Sequence, residues 1–267
     1  MVSAPEVAAN LAAAGRLIRP RRGKERIMRT IVCAGIFAAL AALAALPGCR
    51  RASGKPVFAG VPKMLNNPVF ELAHQGALQA AEEFGVEIEW DAPVAGDAMV
   101  QAEKVRTFIA KKVDGLFVSV NSAEILREPI DAAVREGIPV VCFDSDSPTS
   151  GRLTCYGVDD EAAGRKGAEL LVGKMGTKGK VAILHGTQGA PNLEARIRGF
   201  AGRMKELAPE AALLPPGFCD DNIQKAVETV KTTIAANPDI AGYYMSGGWP
   251  LFATAPGAFS EVPPGKI

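Results

Sequence analysis

The sequence predicts an α/β protein of two doubly wound parallel-sheet lobes joined by a hinge, the second lobe incomplete. Three observations predict it. From residue 57 onward, short apolar runs alternate with segments of helical period, which implies parallel strands and right-handed crossovers. The alternation breaks once, at the polar and turn-rich stretch 145–160, and then resumes; such a break marks a boundary between similar lobes. The 267 residues, 48% of them hydrophobic, are enough for one large domain or two ordinary lobes.

The elements follow in order. "VFAGV" (57–61) reads as a strand. Phe70, Ala73, Ala77, Ala80 and Phe84 recur at helical spacing and predict a helix over 68–84. "VEIEW" (86–90) is a second strand, and Ala98, Ala102, Val105 and Ile109 form the next helical face. "GLFVSV" (115–120) is a buried strand, 123–136 a helix stopped by Gly137, and "IPVVCF" (138–143) a fourth strand. "LTCYGV" (153–158) holds one short strand inside the break. Beyond it the reading is helix 161–175, strand 180–184, helix 192–207, a strand near 211–218, helix 222–236 and strand 240–245. The closing "PPGKI" has the look of a loop and the first residue of another strand. The expectation is therefore a truncated chain with about three core strands in its second lobe, and apolar sheet edges left uncovered.

The first part of the chain reads as a leader. From Met28, a basic residue is followed by the apolar stretch Ile31–Leu46 and then by Leu46-Pro47-Gly48-Cys49. The stretch is short for a spanning helix and ends in small residues, as export signals do. Cys49 after Leu-x-Gly resembles a bacterial lipoprotein signal, with Cys49 as the lipidated residue. The expected organisation is a basic leader and signal over 1–49, a linker over 50–56, an N-terminal lobe over 57–157 and a C-terminal lobe over 158–267. Net charge is +1, so nothing argues for nucleic acid or an anionic partner. Five cysteines and two widely separated histidines, with no CxxC or HExxH, support no zinc site, and no metal or cofactor is expected.

In open parallel sheets, ligands bind beyond the carboxyl ends of the strands. Those positions carry Asn66, Asn67 and Phe70; Ser119 and Asn121; Asp144, Ser145 and Asp146; Arg196 early in a helix; Asp220, Asp221 and Asn222; and Gly247, Gly248 and Trp249. Amides, hydroxyls and carboxylates exchange hydrogen bonds with hydroxyl groups, Arg donates a fork, and Phe or Trp offers a face for C–H surface. The mixture suits an uncharged polyol and suits phosphate poorly. Capping is the competing role at three positions. Asn66 before Pro68 is expected mainly to cap, Asp221 to cap the 222–236 helix, and Asn67 to cap or to touch ligand.

At these residues the chain resembles a known family. "LNNPVFELAHQGALQAAEEFG", "DGLFVSVNSAEILREPIDAAVREGIPVVCFDSD" and "RIRGF" together are similar to periplasmic sugar-binding proteins of ABC transporters, the ribose and galactose type. "FDSD" followed by Arg152 looks most like the branch with rhamnose and autoinducer-2 receptors. The resemblance spans about residues 56–255. It implies two lobes closing on a small ligand, with Asn67, Phe70, Ser119, Asp144, Asp146, Arg196 and Trp249 as the ligand-binding set. Val69 replaces an aromatic common in the ribose branch, and Gly247 stands where Asn is common. The implied protein is a monomeric, periplasmic or extracytoplasmic lipoprotein that hands a monosaccharide or similar polyol to ABC permease subunits. The alternatives are a receptor for a sugar-like signal that feeds a sensor system, and an α/β enzyme. For the enzyme there is no Gly-x-Ser-x-Gly and no dinucleotide fingerprint; "GTQGAP" lacks the phosphate-loop spacing.

Overall fold

The computed structural model describes residues 54–253 and 258–259. Cys49 and its signal lie outside them, as do the closing "PPGKI" and the other residues of 254–257 and 260–267.

Two parallel sheets organise the described chain. The first has five strands in the order β2-β1-β3-β4-β5: β1 (Val57–Val61), β2 (Glu87–Trp90), β3 (Gly115–Val118), β4 (Val140–Phe143) and β5 (Thr154–Tyr156). Between them run α1 (Pro68–Phe84), α2 (Ala98–Ala110) and α3 (Ala123–Arg135). Strand alternation sends Val57, Ala59, Val61, Leu116, Val118, Val140 and Cys142 to one face, where they pack with Val105 and Phe108 of α2 and Leu126 and Ile130 of α3. The other face carries Trp90, Phe117 and Phe143, covered in part by α1 through Phe70, set edge-on to Phe143, and His74, stacked on Trp90 at 4.7 Å. Helices on both faces make this lobe doubly wound. Phe84, expected on the inner face of α1, is instead 73% exposed; the helix buries Phe70 and Ala81.

The second sheet centres on β6 (Lys178–His185), with β7 (Glu210–Leu213), β8 (Gly217–Phe218) and β9 (Ile240–Met245) parallel to it. β9 pairs with β6 from Lys180 to Leu184, so β7 and β8 follow one another along the opposite edge. The single strand expected near 211–218 is thus split. Pro215 and Pro216 stand at the break, and proline has no N–H for the ladder. Val181 and Ile183 of β6 pack on one face against α4 (Asp160–Met175) and α5 (Pro191–Leu207), whereas Ala182 and Leu184 pack on the other against α6 (Ile223–Ala236). A short 3-10 turn, Trp249–Phe252, follows β9.

Caps explain where the helices begin. Asn67, Asp97, Ser122, Asp159 and Asn222 each accept from a backbone N–H of the first turn. Two capping expectations are corrected here. Asn67, not Asn66, caps α1; Asn66 takes the left-handed turn before it, at φ 59. Asn222, not Asp221, caps α6, which frees Asp221 for another role.

Candidate functional site

In each sheet, connections from the central strand run in opposite directions, and a crevice opens beyond the carboxyl ends at that point. In the first sheet it lies between β1 and β3, in the second between β6 and β9. The loops after β1 and β4 and those after β6 and β9 line a common cavity of about 170 Å³. Its walls include Lys63, Phe70, Asp144, Asn192, Arg196 and Trp249. This space is large enough for several water molecules or a small ligand.

The first loop is held from below. Gln101 of α2 is fully buried. Its amide donates to Pro62 O (3.0 Å) and Ser119 O (2.7 Å) and accepts from Asn121 N (3.0 Å). Asn121 in turn donates to Lys63 O (2.8 Å). One side chain therefore ties the β1 loop to the β3 loop. No sequence signal marked it, because a glutamine on a helix reads as a solvated residue until the fold buries it.

Lys63, also missed from sequence, projects into the cavity with 3% of its surface exposed. Its Nζ donates to Asn192 Oδ1 at 2.6 Å and lies 3.8 Å from Asp144 Oδ2. Burial pulls the Lys63 pKa down; Asp144 and Asp221 counter this. Asp144 stands at φ 59, a left-handed conformation that Asp and Asn tolerate best among side-chain-bearing residues. It accepts from Ser119 Oγ (2.8 Å) and Asn192 Nδ2 (3.3 Å). Asn192 thus joins an ammonium and a carboxylate of the first sheet's loops to helix α5. Arg196, one turn further along α5, donates from Nε to Asp160 Oδ1 (2.8 Å) and from Nη1 to Ser246 O (3.0 Å). Burial raises the Asp160 pKa against the pull of Arg196.

Asp221 completes the polar wall. Thr187 donates to it from Oγ1 (3.1 Å) and from N (3.3 Å), and burial pushes its pKa up. Gly186 is required beside it: a Cβ there would lie 2.0 Å from Asp221 Oδ1 and 2.6 Å from the Trp249 ring. Trp249 is both core and wall, 7% exposed within the cluster of Leu184, Leu193 and Ala226. A larger space of about 730 Å³ opens past Asn67 and Asp221 toward exposed Asp220 and the start of α6. The candidate site is the smaller cavity, because the buried charged groups converge there.

The structure places five of the seven sequence-derived candidates on this cavity: Asn67, Phe70, Asp144, Arg196 and Trp249. Two are placed elsewhere. Ser119 is fully buried behind Asp144, so its hydroxyl orients that carboxylate. Asp146 turns to Arg152, which donates from Nε at 2.5 Å and from Nη2 at 2.6 Å; these bonds hold the Asp146 pKa below the usual carboxylate range. Among the described residues, no cluster of His, Cys, Asp or Glu is arranged to hold a metal.

Comparison with known proteins gives a family, two curated relatives and a solved structure. A family model described as a periplasmic binding protein domain matches residues 58–258. The D-allose-binding periplasmic protein of Escherichia coli is 26% identical over 219 residues, covering 79% of this chain and 70% of that protein. The ribose import binding protein RbsB of Bacillus subtilis is 23% identical over 180 residues, covering 67% of this chain and 58% of that protein. Among solved structures, an ABC transporter solute-binding protein from Burkholderia graminis, in complex with D-arabinose, superposes with a TM-score of 0.69 at 31% identity, over 73% of this chain and 66% of that one. The chain spans about 57 to 70% of the length of the curated relatives it matches first.

Proposed function

The chain belongs to the periplasmic binding protein domain family, and from that premise we propose that it captures a monosaccharide or similar polyol between its two lobes, by hinge closure, and delivers it to an ABC-type permease. The family acts outside the cytoplasm. The observation that carries the reading is the cavity itself, where Lys63, Asp144, Asn192, Arg196 and Asp221 converge beside Phe70 and Trp249. The two cations on its wall, Lys63 and Arg196, balance the two carboxylates, Asp144 and Asp221, so the cavity favours an uncharged ligand. Its wall holds both donors and acceptors, as neighbouring hydroxyls require. The aromatic faces suit the C–H face of a sugar ring. Relatives with names or bound ligands of this class are D-allose-binding, ribose-importing and D-arabinose-bound.

In this reading a ligand that bridges Asp144 on one side and Arg196 on the other stabilises the closed form. The mechanism is binding, with no covalent step. A lipid anchor at Cys49 would hold the protein at the membrane beside its permease; loss of membrane association in Cys49→Ser, read by fractionation, tests the anchor.

Titration calorimetry against pentoses, hexoses, deoxy-sugars and linear polyols tests the function. Saturable binding of at least one is expected. Turnover of a sugar, or no binding across the panel, overturns it.

A further inference from the structure

Cys142 and Cys155 occupy partner positions on β4 and β5, the last two strands of the first sheet. Adjacent strands lie about 4.7–4.9 Å apart, within the Cα separation of about 4.4–6.8 Å that a disulfide spans. Register also puts both side chains on one face: Cys142 belongs to the first lobe's core cluster, and Cys155 packs against it. The Asp146 carboxylate acts electrostatically on both thiols. The two cysteines differ in access. Cys142 is fully buried, whereas Cys155 lines a second cavity, of about 390 Å³, with Asp144, Asp146 and Asn192. β5 has only three residues and is an edge strand, paired to β4 alone, so it can shift to meet its partner.

We propose that Cys142 and Cys155 are a thiol–disulfide modification site, closed by a low-molecular-weight disulfide that enters through the Cys155 cavity. Cys155 thiolate attacks the small disulfide, forming a mixed disulfide and releasing one small thiolate. Cys142 thiolate then attacks the Cys155 sulfur and expels the second. The two protein thiols lose two electrons and two protons, and the small disulfide is reduced to two thiols. The compartment in which the family works is oxidising, where such a bond persists. The chemistry is slow at neutral pH. Burial, with Asp146 and Asp144 nearby and only Arg152 opposing, raises the Cys155 thiol to about 11; burial and Asp146 raise Cys142 to about 12. Closure would fasten β5, whose Tyr156 carbonyl accepts the backbone N–H of Asp144 at 3.0 Å, and so would steady the carboxylate of the ligand cavity.

The test uses the wild-type full chain, folded, treated with oxidised glutathione, alkylated in denaturant and cut with trypsin. Cleavage puts Cys142 in Glu136–Arg152, Cys155 in Leu153–Arg165 and Cys219 in Glu206–Lys225, so each thiol reads separately by mass. The expected product is the first two peptides joined, two hydrogens lighter than their sum, with Cys219 still alkylated. Its rate of formation should rise about tenfold per pH unit between about pH 7 and 9, as the thiolate fraction does. Exchange at the Leu153–Tyr156 amides should slow by about tenfold or more in the oxidised form. Separate alkylation of Cys142 and Cys155 after prolonged treatment overturns the proposal. So does a mixed disulfide that stops at Cys155, or a link from either residue to Cys219.

Discussion

At the scale of single residues, Asp144 is the position where most of the site's chemistry meets. Its left-handed backbone tolerates asparagine, so Asp144→Asn removes the charge while keeping the turn. A hydrogen bond to a charged group contributes about 1.5–3 kcal/mol; the variant should bind the identified sugar roughly 10- to 100-fold more weakly, and it should melt below wild type because the buried Lys63 ammonium loses its nearest carboxylate. Calorimetry that finds unchanged affinity removes Asp144 from the ligand set. Gln101 makes a different prediction. Gln101→Leu leaves the carbonyls of Pro62 and Ser119 and the Asn121 N–H without this partner, at about 1–3 kcal/mol for each buried group left unpaired. A loss of under about 1 kcal/mol in urea unfolding would contradict its bracing role. Asp146 supplies a pH dependence. Arg152 holds its folded pKa below that of the unfolded chain, so the pair's stabilisation is complete above about pH 4 and fades as pH falls through the folded value. At partial exposure, 20% and 30% for the two side chains, it is worth about 1 kcal/mol at most. Asp146→Asn should therefore be less stable than wild type at pH 7, and the gap should close in acid.

At the scale of elements, the α4–α5 contact sets where Arg196 stands. A Cβ on Gly164 would meet Arg196 O at 1.9 Å, and one on Gly199 would meet Glu161 O at 2.0 Å. The two backbones touch at reciprocal glycines. Alanine in a helix interior is ordinarily favoured over glycine by about 1 kcal/mol, but overpacking against backbone costs about 1–3 kcal/mol or more. Gly199→Ala should therefore lower the melting temperature and weaken ligand binding by displacing Arg196. A stabilised variant would mean that the helices have room. Gly199 stands in the "RIRGF" motif, but its close approach to the other helix is not legible there, because helical period marks which residues face inward and says nothing of how closely two helices approach. The elements themselves were legible. β1, α1 and β9 have the expected bounds, since each pairs an unbroken apolar pattern with a cap or turn residue at its ends. The 211–218 strand was misread because its apolar run continues through two prolines.

At the scale of the whole molecule, Asn192 joins the described lobes at the cavity. Its amide is the direct link from α5 to both Lys63 and Asp144. Asn192→Ala should leave both lobes folded and loosen their contact at the cavity in the unliganded protein. X-ray scattering should show a larger radius of gyration than wild type without sugar and contraction on adding it. Equal radii with and without sugar in both proteins would count against hinge closure.

The sequence by itself determined the α/β class, the alternation that makes the sheets parallel, and the resemblance that matched the family. Those properties are written in local period and in short motifs. It also placed Asn67, Phe70, Asp144, Arg196 and Trp249 near strand ends, the positions where open parallel sheets generally bind ligands. Only the tertiary structure decided which polar groups lose their water. Lys63, Gln101 and Asn192 look like surface residues in the chain and Asp221 like a helix cap, and each is buried. Ser119 and Asp146 look like ligand contacts until the partners that occupy them, Asp144 and Arg152, are in place. Burial and partnership of a polar side chain depend on what packs across from it, and that is settled between elements rather than within them.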